Sequence, residues 1–381
     1  MATILNTRLA KLRALVVDDM QTMRQNIRTQ LGQLGIEQVD QSATPNDAIK
    51  RIRNTHYDVI ICDYNLNKET NGQQVLEYLR SQKLLSPTAM FFMVTAESSY
   101  DSVASTAEFQ PDAYMVKPLT GGKIADRLER LLDRQQALKP ITDRLQMKDL
   151  AGAITECDTV LAAEPKWIVD ILKIKASSAL ELGNIEQARA TYRQALALRN
   201  DLVWARLGLA RCDQAAGQLD QAKKLVSEVL ETNVQFVGAY DLLAQIAEAQ
   251  GNEEEVLDAF NKSYEVIPSA RRSRLMGDAA YRVGNLEQAR QAFSKALSHT
   301  RGSLTAQASD ALSLAQVQVD IGDAADALSV LSAAAQDHQD DPYFAARQAT
   351  IAAQAFARLG DMNSAQAAFA SAKQLADGIR A

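Results

Sequence analysis

The sequence predicts two architectures in one chain: an α/β doubly wound five-stranded parallel sheet, followed by an all-α superhelical solenoid. Three observations predict them. Short apolar runs alternate with amphipathic stretches up to about residue 135. Beyond about residue 140 such runs vanish, and Ala, Leu, Gln and Glu dominate. In that second half a glycine-led segment recurs at spacings of 34, 34, 33, 38 and 38 residues.

The apolar runs are Leu15-Val16-Val17, Val59-Ile60-Ile61-Cys62, Met90-Phe91-Phe92-Met93-Val94 and Tyr114-Met115-Val116, with a weaker strand near Val39. Each is apolar on successive residues and often β-branched, the mark of strands buried on both faces under covering helices. Helix patterns lie at 21–34, 45–54, 72–82, 100–109 and 121–138. The second opens on Thr44-Pro45-Asn46-Asp47, with Thr as cap and Pro in the first turn. A βα alternation repeated five times gives a doubly wound domain.

The recurring glycines are Gly183, Gly217, Gly251, Gly284, Gly322 and Gly360, and Lys148-Asp149-Leu150-Ala151 is a degenerate earlier copy. Each ends one helix pattern and precedes another, where positive φ or a close helix approach suits glycine. The best copies then carry a small, an aromatic and a small residue: Ala188, Tyr192, Ala195; Ala289, Phe293, Ala296; Ala365, Phe369, Ala372. Alternating small and bulky residues let neighbouring helices interlock.

Composition narrows the function. Lys and Arg total 41 and Asp and Glu 47; residues 1–138 take 16 of each, leaving 25 basic and 31 acidic residues for the remainder. Neither half has the basic balance of a nucleic-acid module, which disfavours a DNA- or RNA-linked transcriptional regulator. The longest apolar runs are too short to span a bilayer and no secretory leader is evident, so the expected location is cytoplasmic, away from membranes. Cys62, Cys157 and Cys212 sit in apolar patterns and read as buried free thiols.

In an open α/β sheet, ligands bind beyond the carboxyl ends of the strands. Asp18 and Asp19 end the first run, Asp63 the third, Thr95 the fourth, and Lys117, before Pro118, the fifth. A strand-terminal Asp alone is ordinarily a cap or turn residue, and Lys-Pro an ordinary loop. All five at these strands resemble the receiver domain of two-component response regulators, the CheY-like, flavodoxin-like fold, over residues 11–137. The resemblance implies Mg²⁺ held by Asp18 or Asp19, by Asp63 and by the backbone carbonyl of Asn65; an all-oxygen donor set suits that ion. It implies Asp63 as phosphoacceptor, Lys117 and the ion offsetting charge, and Thr95 donating to the phosphoryl group. It further implies a switch in which Thr95 moves and Tyr114 rotates inward beside the small Ala96, altering the surface over 98–138. The bland reading of Tyr114 is a fixed, half-buried aromatic.

The 34-residue period with its small-aromatic-small pattern resembles the tetratricopeptide repeat (TPR) family over residues 140–376, as six to seven helix pairs. Tyr240 fits the family's early aromatic and Pro268 its end-of-repeat proline, though most copies lack them. The resemblance implies a groove for a protein or peptide partner, lined by Lys173, Trp204, Arg211, Asp241, Arg271, Arg274, Arg282, Arg347 and Arg358. Arginine forks hold carboxylates, so an acidic segment is the functional reading; solvated charge or internal ion pairs is the bland one. No catalytic constellation accompanies the repeats: His299 and His338 read as surface residues, which disfavours a phosphatase-type output. The expected function is a response regulator phosphorylated by a sensor histidine kinase or phosphotransfer protein, with the repeats as adaptor. No enzymatic activity is expected beyond the receiver's own phosphotransfer and dephosphorylation. Lys139-Pro140 leaves no flexible linker, so the switching face is expected to couple to the first repeats or to a second copy in a homodimer.

Overall fold

The computed structural model describes residues 8–66, 71–86, 88–96, 110–163, 166–300, 305–338 and 340–380. The helix expected over 100–109 and part of the loop after Asp63 (67–70) lie outside the described residues.

Five strands, β1 (Arg13–Val17), β2 (Gln38–Ser42), β3 (Val59–Asp63), β4 (Met90–Thr95) and β5 (Ala113–Val116), pair in parallel in the order β2-β1-β3-β4-β5. Their inward residues, among them Val16, Ile61, Phe92 and Val94, are buried with Ile27 and Leu31 of α1 (Gln21–Gln33) and Ile124 and Leu128 of α4 (Gly121–Gln146). Each such side chain is worth roughly 1.5–3 kcal/mol of burial. Helices α2 (Pro45–Asn54) and α3 (Gly72–Ser81) complete the described layers. The Thr44 side chain caps α2 by accepting from the Asp47 N–H, as expected. The strand order reverses between β1 and β3, which opens the crevice that holds the candidate site.

One expectation is corrected. The helix predicted to stop at residue 138 is α4, and it runs on through Pro140 to Gln146. An interior proline removes a helical hydrogen bond and crowds the preceding turn. Burial compensates here: Leu138 and Ile141 pack with Ala153, Cys157, Trp167 and Ile171 in a second core. One helix thus belongs to the α/β domain at its start and to the helical array at its end.

The chain forms two compact units, Met1–Gly251 and Asn252–Ala381. The first continues from α4 through α5 (Leu150–Leu161), α6 (Ile168–Glu181), α7 (Ile185–Leu198), α8 (Val203–Ala215), α9 (Leu219–Thr232) and α10 (Val237–Ala249). The second holds α11 (Glu253–Val266), α12 (Ala270–Arg282), α13 (Leu286–Thr300), α14 (Ala308–Ile321), α15 (Ala324–Ala335), α16 (Pro342–Arg358) and α17 (Met362–Arg380). The recurring glycine has positive φ in every copy, 81° at Gly183 and 80° at Gly284 for example. Lys148 takes the same conformation, at φ 58°, in the degenerate copy. The asparagine after the glycine starts the next helix: Asn184, Asn252 and Asn285 each accept from the N–H three residues on.

In two of the repeats the aromatic seats against a glycine of the next or preceding helix. A Cβ at Gly208 would stand 2.2 Å from the Tyr192 ring, and one at Gly277 2.7 Å from Phe293. The third copy differs: Phe369, on α17, is 66% exposed, because among the described residues no further helix covers it. All three cysteines are buried and free. His299 is half-buried rather than on the surface, since α13 turns its ring toward the Tyr264 hydroxyl, 3.4 Å away.

Candidate functional site

Sheet register assembles the site. Val17 pairs with Cys62, so Asp18 and Asp63 leave neighbouring strands side by side. Asp63 pairs with Val94 and Thr95 with Val116, which places Thr95 and Lys117 at the same rim. Asp18 and Asp63 are 1% and 6% exposed, and Thr95 is buried. The Lys117 ammonium bridges the two acids, 2.9 Å from Asp63 Oδ2 and 3.3 Å from Asp18 Oδ2. Its backbone N–H donates to the Thr95 carbonyl (2.8 Å), and the peptide between Lys117 and Pro118 is cis.

Asp19 is exposed, and carboxylate oxygens of Asp18, Asp19 and Asp63 lie within 4.8 Å of one another. Three acids face one ammonium, and hard oxygen donors at this spacing fit a divalent cation. Burial is the largest influence on Asp63. It raises the carboxyl above its ordinary value against the opposing hydrogen bond and charge of Lys117, and the neighbouring Asp18 charge adds to the rise. For Lys117 burial works downward, but the hydrogen bond and charge of Asp63, then Asp18, outweigh it, and its pKa rises. The Asn65 backbone N–H also hydrogen-bonds Asp63, which puts Asn65 at the rim.

Sequence reasoning passed over three supports. The Arg24 guanidinium donates to the backbone carbonyls of Asp18 (2.7 Å) and Asp19 (2.9 Å) and holds that turn. The Asp18 carboxylate accepts from the Met20 N–H at 2.8 Å. At Gly72 a Cβ would lie 2.3 Å from the Asp63 carbonyl oxygen, so only glycine lets α3 start against the site. No periodicity signals these residues, because each acts through backbone atoms.

Residues 14–129 match the family described as the response regulator receiver domain, and residues 179–246 match the tetratricopeptide repeat. The chain is a receiver–tetratricopeptide fusion. The receiver is similar to chemotaxis protein CheY of Pseudomonas aeruginosa, 28% identical over 123 residues that cover 32% of this chain and 98% of that protein. It is also similar to chemotaxis protein CheY-3 of Vibrio cholerae, 25% identical over 134 residues, 35% of this chain and 99% of that one. The C-terminal part of a TPR repeat-containing protein from Cytophaga hutchinsonii aligns over 62% of this chain and 95% of its own, with TM-score 0.50 and 14% identity, a likeness of fold.

Elsewhere in the fusion the predicted residues divide. Tyr114 is half-buried on β5, and Ala96 is exposed after Thr95. Trp204 lies edge-on to Tyr192 (6.1 Å between centroids) with the Lys173 ammonium 5.7 Å over its ring. Arg274 forks onto buried Asp310 (2.7 Å for its second bond), and Arg282 reaches Glu253 at 3.0 Å. Arg271 and Asp241 also have partners. Arg211, Arg347 and Arg358 are exposed, with no hydrogen-bond or ion-pair partner among the described residues. Among the described residues the fully buried arginine is Arg272, which the sequence did not single out; it donates to Ser263 Oγ at 3.1 Å and to the Ile267 carbonyl. Among the described residues no helix is long and apolar enough to cross a membrane.

Proposed function

We propose that this fusion is a phosphorylation-controlled adaptor. Its receiver, residues 11–137, takes a phosphoryl group on Asp63 from a sensor histidine kinase or phosphotransfer protein. Its repeats, residues 140–376, then gain or lose a protein partner. The observation that supports this best is Lys117 bridging buried Asp63 and Asp18 beside a third carboxylate.

In the transfer, an Asp63 oxygen attacks phosphorus as the P–N bond to a phosphohistidine breaks, leaving an acyl phosphate and an imidazole that takes up a proton. Asp18, Asp19, Asp63 and the Asn65 carbonyl would hold Mg²⁺, which when bound offsets charge on the transferring group. Lys117 orients Asp63 and neutralises developing negative charge. Thr95 donates its hydroxyl to the new phosphoryl oxygens, and Tyr114 on the adjacent strand turns toward the space Thr95 leaves. Phosphorylation adds roughly −1.5 to −2 charges beside Lys117. The Lys117–Pro118 step leads directly into α4, whose far end packs on the first repeats, so a shift at the site has a rigid element to act through. Of the groove arginines expected from the sequence, Arg211, Arg347 and Arg358 are exposed and without a hydrogen-bond or ion-pair partner among the described residues, and these would meet an acidic partner segment.

The test is capture from lysate by immobilised full-length protein, with and without magnesium and beryllium fluoride as phosphoryl mimic. The captured set is expected to change on adding the mimic and not to change for Asp63→Ala. Identical sets in all four conditions would sink the adaptor.

A further inference from the structure

A second charged recess lies within the first compact unit, near the amino ends of β4 and β5 and therefore at the opposite rim of the sheet from Asp63. Its walls are the middle of α4 and the start of α6, and its volume is about 430 Å³, within the range of small-molecule sites. Five cations line it, Arg80, Arg127, Arg130, Arg134 and Lys173, against two acids, Asp112 and Asp170. Both acids are matched already: Arg80 reaches Asp112 at 3.4 Å and Arg134 reaches Asp170 at 2.8 Å.

Three cations are left over. Arg127 has no hydrogen-bond or ion-pair partner among the described residues. The Arg130 guanidinium lies 5.8 Å over the ring of buried Trp167, and Lys173 lies against the Trp204 ring, with Asp170, already paired to Arg134, as its attractive charge. Arg127, Arg130 and Arg134 are spaced three and four apart, so they share one face of α4. Lys173 faces them from α6, and its pKa falls, first by loss of solvent and then by the charge of Arg134, only partly countered by Asp170. Unneutralised like charges gathered in one recess oppose folding, and an anion there would relieve the repulsion. Guanidinium forks match phosphate and carboxylate oxygens. The bounded volume between two walls favours a compact ligand over a peptide strand, which needs an extended groove.

We propose that this recess binds a small anion carrying two or more phosphate groups, inorganic or part of a nucleotide. Such a ligand bridges α4 to α6 and so ties the receiver to the first repeats independently of Asp63. Calorimetric titration of the full-length protein in EDTA, with inorganic pyrophosphate and separately with ADP, tests this. Affinity is expected to fall at least about tenfold in Arg127→Gln/Arg130→Gln, the loss of a pair of charge-assisted hydrogen bonds, and to be unchanged in Asp63→Ala. Both arginines are exposed, so an unaltered far-ultraviolet circular dichroism spectrum will show that the variant is folded. Tighter binding of ADP than of pyrophosphate assigns a nucleotide; equal binding assigns the phosphates alone. Absence of binding by both anions, or equal affinity in the double variant, overturns the proposal. So does binding of hexaglutamate where pyrophosphate fails, which would assign the recess to an acidic peptide.

Discussion

Asp63 in the receiver and Asp310 in the repeats are both buried carboxylates gripped by one basic side chain, yet the charge around them is balanced differently. Asp310 takes the whole Arg274 fork, and the nearby carboxylate of Asp278 has Arg282 as its largest favourable charge, so each acid has a cation of its own. Asp63 shares Lys117 with Asp18, and Asp19 stands within reach of both. A matched buried pair is a structural element whose desolvation cost is offset within the chain. A surplus is an arrangement that the chain leaves incomplete, and it calls for something from solution. By the same reasoning, the recess between α4 and α6 is incomplete in the opposite sign.

The largest test of the contrast removes one acid from each region. Asp310→Ala strands a mostly buried guanidinium and is expected to cost about 3–5 kcal/mol, read from the urea unfolding midpoint, whereas Arg274→Met with Asp310→Leu should recover most of it. Asp63→Ala relieves repulsion among the acids and leaves Lys117 its Asp18 partner, so its midpoint should hold or rise. Equal losses in the two single variants would erase the distinction.

A smaller effect belongs to a matched cluster inside the receiver. Asp40 accepts from Arg13 (2.8 Å) and from the Tyr57 hydroxyl (2.8 Å). Burial alone would raise its pKa, but these bonds and the charges of Arg13 and Arg51 bring it below the ordinary 3.8. Its folded pKa is therefore below its unfolded one. The stabilisation is present above the unfolded value and is lost as pH falls through the folded one. The stability gap between wild type and Asp40→Asn should be constant near neutrality and close below about pH 4; a gap that widens on acidification would reverse the sign.

The smallest effect sharpens the comparison among the repeats themselves. Lys148 stands at φ 58° where six other copies carry glycine. A non-glycine residue pays about 1–2 kcal/mol in that conformation, and glycine loses roughly 0.4–1 kcal/mol to unfolded-state freedom. Lys148→Gly should therefore stabilise by about 0.5–1 kcal/mol in urea melts, and destabilisation would show that the Lys148 side chain has a structural role.

The acidic site was legible because a parallel sheet gathers its strand ends at one rim: once Val17, Cys62, Val94 and Val116 are read as strands, Asp18, Asp63, Thr95 and Lys117 must converge. The repeat turns were legible because positive φ selects glycine at each period. What escaped depends on packing between distant segments. Nothing local says that burial of Leu138 and Ile141 carries α4 through Pro140. Nothing local separates Arg272, wholly buried, from Arg274, paired 36 residues away with Asp310. The recess cations sit on α4 and α6, and only the docking of those helices makes them one group.

The most direct test is mass spectrometry of the full-length protein after incubation with acetyl phosphate and magnesium. One added phosphoryl group, labile to hydroxylamine and mapped to Asp63, is predicted, with none in Asp63→Ala. An unmodified wild-type chain, or a label on another residue, would contradict the claim that this surplus of buried acids is a phosphoacceptor.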